Sequence, residues 1–209
     1  MKIAILGMGN VGSVLGRCWV EAGHKVTFGV RNPTKHQADA QKMKASVAGI
    51  KDAAGKSEVV VLAVPWSAVP DVLKAAGRLN GKVLLDCTNP LKPDLSALEL
   101  GTTTSGGEKV ALAAPGAKVV KIFNTTGAGN MANPNYGGTK LTMLYAGDDA
   151  WSKRIASRLA SDLGFDPVDA GPLSSARMLE PFALLWISLA YQQKMGMDVA
   201  LNLFRRPGK

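Results

Sequence analysis

The sequence is poor in the side chains from which most catalytic and metal sites are built. It has two cysteines and two histidines in 209 residues. Cys18 on a predicted helix and Cys87 at a predicted strand end are too isolated for a zinc site or a disulfide framework. No Ser-His-Asp set, Tyr-x-x-x-Lys pair or metal cluster is apparent. We therefore expect no catalytic side chain, no metal, and reduced thiols like those of a cytoplasmic protein.

Long apolar runs and basic clusters are also missing. The most apolar helical stretch, Leu179 to Tyr191, falls far short of the ~20 residues that cross a bilayer. The apolar run at the start is one strand long and lacks a cleavage region, which argues against a signal peptide. The formal net charge is +9, but the lysines and arginines are scattered, which favours anionic small ligands over nucleic acid. We expect a cytoplasmic protein that binds neither membrane nor nucleic acid.

A glycine-rich motif near the start of the chain predicts a dinucleotide site. A buried strand is predicted at 2–6 and a helix from Asn10 to Ala22, and Gly7-Met8-Gly9-Asn10-Val11-Gly12 joins them. A second strand, Lys25 to Val30, completes a βαβ unit, the context in which G-x-G-x-x-G is specific. The first glycine allows the tight turn, the second lets the backbone approach the pyrophosphate, and the third lets the helix pack against the strand. The free N–H groups at the helix start attract the phosphates.

The residues after the second strand predict which dinucleotide is bound. NAD sites usually place an Asp or Glu there to hold the ribose hydroxyls. This chain has Val30-Arg31-Asn32-Pro33-Thr34-Lys35, which contains two cations and no carboxylate. Arg31 can donate two hydrogen bonds to a 2′-phosphate, and Lys35 adds a positive charge. The sequence therefore predicts NADP(H) rather than NAD as the cofactor.

Strand and helix patterns alternate along the chain, which favours a Rossmann-type, doubly wound, mainly parallel α/β sheet. We expect a single NADP-binding domain, with 1–171 as the dinucleotide-binding core and 172–209 as a short C-terminal helical extension. The segment 88–107 is predicted to be a surface loop near the site, and Ser105 and Glu108 have capping-box spacing. Further strands are predicted near 46–47 and at 58–64, 82–86, 118–123, 141–146 and 166–169, and helices at 33–43, 50–54, 67–78, 108–114, 149–163 and from 172 to about 195.

The absence of a separate substrate domain restricts where an acceptor can bind. We expect it in the crevice at the carboxyl ends of the strands. The walls would be the loops at 64–66, 89–90 and 124–128, with the last helix or a second subunit. Pro65, Trp66 and Ala128 would be apolar parts of these walls that exclude water and hold two rings face to face. Trp66 could equally be an aromatic residue of the core.

These loops contain almost no acid or base. His24 is predicted at the opposite edge of the sheet, His36 beside the adenosine pocket, and Asp86 in a bond to a neighbouring loop. A site that positions a hydride donor without a proton-transfer group suits an acceptor that takes hydride directly. A flavin or deazaflavin ring does this, because the cofactors carry the difficult chemistry.

Five segments carry a resemblance to a known family, and they span nearly the whole chain. They are residues 7–12, 29–33, 64–66, 119–125 and 169–177. The chain resembles the NADPH-dependent deazaflavin oxidoreductases, which pass hydride between NADPH and the 8-hydroxy-5-deazaflavin coenzyme. It is also similar to the reductase domain of the six-transmembrane epithelial antigen metalloreductases, which pass hydride from NADPH to flavin. The resemblance implies an oxidoreductase with deazaflavin, FMN or FAD as its small-molecule acceptor.

The resemblance also implies roles for individual residues. It places residues 8–11 at the pyrophosphate, Val30, Arg31 and Lys35 around the 2′-phosphate, and Trp66 near the nicotinamide. The backbone of Ala128 would contact the carboxamide group of the nicotinamide. The predicted cofactor-binding residues are Gly7, Met8, Gly9, Asn10, Val11, Gly12, Val30, Arg31, Asn32, Lys35, Ala63, Val64, Pro65, Trp66 and Ala128.

Three departures from the family pattern are visible. Val30 stands where the family often has Ser or Thr, which removes one hydroxyl donor to the phosphate, and the glycine turn is shorter than in the archaeal deazaflavin enzymes. The loop 124–128 reads Asn-Thr-Thr-Gly-Ala where those enzymes carry His and Pro, and because this loop would face the acceptor, the departures affect deazaflavin more than NADP(H). Two alternatives stay open: an imine or small-carbonyl reductase of the pyrroline carboxylate reductase type, and a non-catalytic NADP-binding sensor. The apolar last helix, together with the family's usual dimers, predicts a homodimer.

Overall fold

A computed structural model describes residues 1–206 and contains an eight-stranded sheet and a separate two-stranded hairpin. The strands are β1 (Lys2–Leu6), β2 (Lys25–Val30), β3 (Ser46–Gly49), β4 (Val59–Leu62), β5 (Val83–Asp86), β6 (Lys118–Lys121), β7 (Asn135–Tyr136), β8 (Thr139–Lys140), β9 (Thr142–Gly147) and β10 (Asp166–Asp169). The α-helices are α1 (Asn10–Glu21), α2 (Pro33–Lys42), α3 (Ile50–Gly55), α4 (Val69–Ala76), α5 (Gly106–Ala113), α6 (Ala128–Ala132), α7 (Ala150–Asp162) and α8 (Ala176–Ile187).

The sheet has the strand order β3-β2-β1-β4-β5-β6-β9-β10. All neighbouring pairs are parallel except β6 and β9. The chain leaves β1 toward one edge through β2 and β3, then returns to place β4 on the other side of β1. Ligands of such sheets bind outside the carboxyl ends of the strands at this reversal point. The predicted doubly wound, mainly parallel Rossmann-type fold is confirmed.

The core lies on both faces of the sheet, because alternate residues of a strand point to opposite faces. In β1, Ile3 and Ile5 belong to one apolar cluster, whereas Ala4 and Leu6 belong to the other. Parallel strands buried in this way are apolar at nearly every position. The four residues of β4 are accordingly all buried. This explains why such strands could be recognised in the sequence.

The largest differences from the predicted bounds lie at the end of β4, before α4 and at the end of the last helix. The strand at 58–64 ends at Leu62, and a short 3₁₀ turn precedes α4 where a continuous helix was predicted. The last helix was predicted to run to about residue 195. It ends at Ile187 and continues as one π-helical turn, Ser188–Gln192. Lys194 and Gly196 then have left-handed backbone, with φ of 56° and 85°, which a helix cannot accommodate. The sequence reading also missed α6 and the hairpin of β7 and β8.

The segment 88–107 is only partly the predicted surface loop. Thr88 and Pro90 are buried at its start, and Ser105 is buried at its end, while the middle is exposed. The capping box is confirmed, since Ser105 Oγ accepts from the Glu108 N–H at 3.1 Å and donates to the Glu108 carboxylate at 2.8 Å. Both ends are anchored because they are bonded to buried charged groups, which are described below.

Within residues 1–206, no helix is both long enough and apolar enough to cross a membrane. Residues 193–206 have no regular helix or strand. Two of them form hydrogen bonds with α6, α8 and β9. Asn130 Nδ2 and Trp186 Nε1 both donate to the Val199 carbonyl, at 2.9 and 2.7 Å. Asn202 Oδ1 accepts from the Thr142 N–H at 2.6 Å. Val199 and Asn202 therefore hold this segment against α6, α8 and β9.

Candidate functional site

Two glycines allow β1, α1 and the end of β4 to meet without side chains between them. Gly7 has a φ of 109°, and a Cβ there would overlap the carbonyl oxygen of Ala63. A Cβ on Gly12 would overlap the carbonyl oxygen of Gly7. The predicted roles of these glycines in the tight turn and in close helix–strand packing follow directly from this geometry.

Gly9 differs, because a Cβ there would meet no atom within 4 Å. Gly9 is the residue before the first turn of α1. It provides no side-chain cap, and that turn contains no acidic residue. The first N–H groups of a helix have no partner within the helix. The start of α1 therefore presents free backbone donors beside open space, which is the arrangement that a phosphate requires.

Alanine substitutions should separate these two kinds of glycine. Gly12→Ala should destabilise the fold by about 1–3 kcal/mol, because the added methyl group has no space. Gly9→Ala should leave stability nearly unchanged and weaken NADPH binding by about tenfold, since its methyl group enters the space kept for phosphate. Thermal unfolding and a fluorescence titration with NADPH measure the two effects. Similar affinity losses without any stability difference would contradict these roles.

A cavity of about 670 Å³ lies at this point, between the loops after β1 and β2 and the helix α4. Ten of the predicted cofactor-binding residues line it. Arg31 and Lys35 are both exposed, and neither forms an ion pair with another described residue. The ten are Gly7, Met8, Gly9, Val30, Arg31, Asn32, Lys35, Ala63, Val64 and Pro65.

Asn32 explains how Lys35 is positioned. Its Oδ1 accepts from the Lys35 N–H at 3.3 Å and so caps α2, and Pro33 occupies the first position of that helix. Proline is favoured there because its missing N–H would have no helical partner. No acidic residue lies in the first turn of α2. The cavity is thus bordered by the positive ends of two helices and by two unpaired cations, a combination that fits the phosphates of NADP(H).

The opposite wall of the cavity was not predicted as a site. It is formed mainly by α4 and the turn before it, where Ala68, Val72 and Ala75 give a small apolar face at helical spacing. That spacing was visible in the sequence, but nothing in it indicated that this face borders the cavity. His36 also lines the cavity, as its predicted place beside the adenosine pocket requires. The other lining residues absent from the prediction are Gly29, Ile50, Ser67 and Asp71.

Five predicted residues do not line this cavity. Asn10, Val11 and Gly12 belong to α1 behind the glycine turn. The ring of Trp66 is half-buried and packs where a Cβ of Gly106 would lie. Ala128 is the first residue of α6. Their contacts with a bound cofactor remain predictions.

The loops after β5 and β6, which were predicted to face the acceptor, are bonded to each other. Asn89 Nδ2 donates to the Asn124 carbonyl at 2.9 Å, and Asn124 Nδ2 donates to Asn89 Oδ1 at 3.0 Å. Asn124 Nδ2 also donates to the Leu179 carbonyl of α8 at 3.2 Å. The preceding Phe123 is fully buried with a φ of 59°, and its ring packs edge-on against Trp19. These contacts fix the position of the loops without a cofactor.

A fully buried ion cluster lies behind these loops. Lys121 Nζ is 2.7 Å from Asp86 Oδ2 and 2.9 Å from Glu180 Oε1, and it donates to the Thr88 carbonyl at 2.7 Å. Glu180 in turn accepts from the N–H groups of Gly106 and its neighbour, at 2.8 and 3.0 Å. The start of α5 thereby neutralises part of the excess negative charge.

The ion cluster determines the protonation state of Lys121. Burial alone would lower the pKa of this lysine, but Asp86 and Glu180 more than compensate, so the pKa lies above its ordinary value of 10.5. Burial also raises the pKa of the neighbouring Cys87 thiol. The expected bond from Asp86 to a neighbouring loop is present, since its Oδ1 accepts from both the N–H and the hydroxyl of Thr88. The sequence reading missed Lys121 and Glu180.

His24 lies at the other edge of the sheet, as predicted. Its Nε2 is 2.9 Å from Asp162 Oδ2, and the ring is largely buried. This histidine follows α1 and connects it to α7. It does not line the cofactor cavity. The contact between His24 and Asp162 therefore stabilises the fold, and the position of His24 gives it no role in hydride transfer.

Comparison with known proteins decides the family. A family model described as "NADP oxidoreductase coenzyme F420-dependent" matches residues 2–90. A solved structure from Arthrobacter sp. FB24, provisionally named an F420-dependent NADP-reductase, is 32% identical and has a TM-score of 0.88. The alignment covers 98% of this chain and 100% of the Arthrobacter chain. The chain belongs to the F420-dependent NADP oxidoreductase family. This membership supports the NADP(H) cofactor that the glycine motif and the cations after β2 predicted.

The metalloreductases that are similar to this chain are longer proteins. Metalloreductase STEAP3 of Rattus norvegicus is 33% identical over 204 residues, which cover 97% of this chain and 40% of that protein. Metalloreductase STEAP2 of Homo sapiens is 24% identical over 189 residues, which cover 90% of this chain and 37% of that protein. The chain thus spans about two-fifths of the length of these relatives.

A more distant likeness concerns the fold alone. A reductive aminase from Aspergillus terreus, solved with NADPH, is 21% identical with a TM-score of 0.69. The alignment covers 92% of this chain and 62% of the aminase chain. The shared part is the Rossmann-type fold that both chains contain.

Proposed function

We propose that this protein transfers hydride between NADP(H) and a flavin or deazaflavin ring. NADP(H) would lie in the 670 Å³ cavity at the carboxyl ends of β1, β2 and β4. The acceptor would lie beside it, against the loops after β5 and β6. When bound, NADPH supplies the hydride, and the remaining work of the site is binding, orientation and the exclusion of water.

The residues of the cavity account for the cofactor side of this proposal. The N–H groups at the start of α1 would bind the pyrophosphate, with Gly9 leaving room for its approach. Arg31 and Lys35 would hold the 2′-phosphate, because both are unpaired within residues 1–206 and both line the cavity. Ala68 and Val72 offer an apolar surface for the adenine ring.

One observation carries the choice of acceptor: the titratable groups behind the acceptor wall cannot move a proton. Asp86 and Lys121 end β5 and β6, but both are fully buried and bonded to each other. Glu180 is buried in the same cluster. A carbonyl or imine substrate needs a proton donor at the reacting centre. A flavin or deazaflavin takes hydride at a ring carbon or nitrogen and needs no such side chain.

The relatives support the same class of acceptor. The Arthrobacter protein carries the name of an F420-dependent reductase, and the STEAP proteins are named metalloreductases. This chain spans about two-fifths of the length of the STEAP proteins, so their activity on metal ions is not part of the proposal. We therefore place deazaflavin and the flavins FMN and FAD together as candidate acceptors.

The test is anaerobic NADPH oxidation with purified protein and four alternative additions: the 8-hydroxy-5-deazaflavin coenzyme, FMN, FAD and a cyclic imine. Turnover with deazaflavin or a flavin, but not with the imine, is the expected result. Turnover with the imine alone would place the protein with the imine reductases and overturn the proposal. Tight NADPH binding without turnover of any acceptor would instead favour the sensor. Arg31→Ala serves as control, because it should raise the KM for NADPH and leave the KM for the acceptor unchanged.

We also propose that the protein is a homodimer formed through the C-terminal extension. Among residues 1–206, seven of the ten exposed large apolar side chains lie between positions 178 and 204. Exposed apolar side chains concentrated in one part of a chain commonly mark an interface. The occupant proposed is a second copy of the chain, as the family resemblance implies. The seven are Met178, Leu185, Tyr191, Met195, Met197, Leu203 and Phe204.

Leu185→Glu should convert the dimer into a monomer, because a carboxylate would be buried without a partner in the interface. Light scattering on the eluting protein should then give a mass near 21.9 kDa instead of about twice that value. Leu112→Glu is the matched control, since Leu112 is 74% exposed but lies on α5, outside the extension. A wild-type protein that is already monomeric would refute the dimer.

A further inference from the structure

A second cavity, of about 600 Å³, lies at the edge of the sheet opposite the cofactor cavity. It is formed at the amino ends of β1 and β2, with the turn before β3 and the end of α3. Four of its nine lining residues are lysines, and none of the nine is Asp or Glu. The nine are Lys2, His24, Lys25, Val26, Thr27, Lys44, Ser46, Lys56 and Ser57.

The fold brings these lysines together despite their repulsion. Lys2 and Lys25 are register partners on the parallel strands β1 and β2, so their backbones lie about 5 Å apart. Lys44 approaches from the turn before β3, where it has a left-handed φ of 54°. Lys56 follows the end of α3. Clustered ammonium groups repel one another unless an anion lies between them.

Other lysines at the same edge of the sheet have partners. Lys82, just before β5, donates to the carbonyls of Ser57 and Gly55 at 2.6 and 3.2 Å. Lys118, at the start of β6, is 3.9 Å from Asp149. None of the four cavity lysines forms an ion pair or a side-chain hydrogen bond with another residue of the described chain. The lysines around the cavity therefore lack the partners that Lys82 and Lys118 have at the same edge of the sheet.

Two carboxylates adjacent to lining residues, Asp162 and Glu58, do not line the cavity themselves. Asp162 is bound by His24 at 2.9 Å and lies close to Arg158 at 3.9 Å. Glu58 follows Ser57 in the sequence, but its side chain is exposed and is not part of the lining. It forms no ion pair within the described part of the chain.

Three hydroxyl groups complete the lining. Thr27 and Ser46 are register partners on β2 and β3, and Ser57 is a buried residue at the end of the α3 turn. None of their hydroxyl groups makes a hydrogen bond to another residue among 1–206. Hydroxyls that face a basic cavity can donate to the oxygens of an anion.

We propose that this second cavity binds a small molecule that carries two or more phosphate groups. Its volume lies within the ~300–1,000 Å³ of small-molecule sites, and lysine binds phosphate as a point charge. The concave shape favours a compact ligand over the flat contact that a nucleic acid duplex would make. The cavity shares no residue with the cofactor cavity, so this inference stands independently of the proposed function.

Calorimetric titration with pyrophosphate tests this inference, using protein saturated with NADP⁺ so that the cofactor cavity is filled. The wild-type protein should bind one pyrophosphate. Lys25→Gln/Lys44→Gln should weaken binding by at least about tenfold through the loss of two charge-assisted contacts. Lys109→Gln/Lys140→Gln is the matched control, because it removes the same charge from exposed positions elsewhere. Thermal unfolding checks that both double variants fold.

Three outcomes would overturn the proposal. The first is the absence of binding to the wild-type protein, and the second is equal weakening in the two double variants, which would indicate attraction to net charge alone. The third outcome would come from a parallel titration with ATP and with vesicles that contain a phosphorylated inositol lipid, which distinguishes the possible sources of the phosphates. Binding to the vesicles without binding to pyrophosphate or ATP would identify a membrane-docking surface in place of a small-molecule site.

Discussion

Replacing Lys121 with methionine should destabilise the protein by about 3–5 kcal/mol, because it leaves buried carboxylates without their cation. Asp86 and Glu180 are both within 3 Å of Lys121 Nζ, and all three side chains are almost completely buried. Lys121 also holds the Thr88 carbonyl. The free energy of unfolding from urea titration measures the effect. A loss smaller than about 1 kcal/mol, the size expected for an exposed ion pair, would contradict the assignment of a dry ion cluster.

A neutral version of the cluster provides the control. Lys121→Met/Asp86→Asn/Glu180→Gln should recover part of the lost stability, because no charge is then left buried without a partner. Recovery would show that the unpaired carboxylates, not the missing alkyl packing, cause the loss. A triple variant that is less stable than Lys121→Met would contradict this explanation.

The stability difference between wild type and Lys121→Met should also depend on pH. The folded protein raises the pKa of Lys121 above 10.5. The contribution of this lysine is therefore fully present below that pH and is lost only as the pH rises through the raised value. The difference should stay constant across neutral pH and shrink only in strongly alkaline buffer. A difference that stayed unchanged in strongly alkaline buffer would contradict this expectation.

Arg31→Ala should raise the dissociation constant for NADPH by about 10-fold to 100-fold, the effect of losing a bidentate charge-assisted contact. Arg31 lines the cofactor cavity, is exposed, and has no ion-pair partner among residues 1–206. Its guanidinium is therefore free to bind a 2′-phosphate. Binding of NADH, which lacks this phosphate, should change little. Fluorescence titrations with both nucleotides measure the two constants.

The control for this prediction is Arg78→Ala, which removes an exposed arginine that does not line the cofactor cavity. It should leave both dissociation constants nearly unchanged. Equal losses for NADPH and NADH in Arg31→Ala would show that Arg31 supports the cavity in general and does not read the 2′-phosphate. Raising the salt concentration should reduce the preference of the wild-type protein for NADPH, since exposed charges are screened.

The ion cluster also explains how the extension is joined to the rest of the fold. Glu180 comes from α8 but binds Lys121 of β6 and the N–H groups at the start of α5. Trp186 of the same helix packs where a Cβ of Gly127 would lie. These two contacts position α8 over the loops that would face the acceptor. The wall of the acceptor site therefore depends on residues far apart in the sequence.

Local sequence determined much of the cofactor half of this protein. The βαβ unit, its glycines and the cations after β2 lie within the first 35 residues, and their roles depend on neighbours close in the chain. Gly7 and Gly12 are needed because the backbone itself turns and packs there. Asn32 caps the N–H group of Lys35, which is only three positions later. Buried parallel strands such as β4 are apolar throughout, so their uninterrupted apolar runs also indicated the fold.

The tertiary structure alone decided the other half. The α4 wall of the cavity, the Asp86–Lys121–Glu180 cluster and the lysine cavity each bring together residues from separate elements, and no local pattern records such meetings. Lys121 in the sequence is simply a polar residue at a strand end; it becomes a buried cation because Glu180, 59 positions later, reaches it. The packing of the sheet and helices determines which distant side chains pair. The spacing of residues and the composition of the sequence therefore could not predict these pairs.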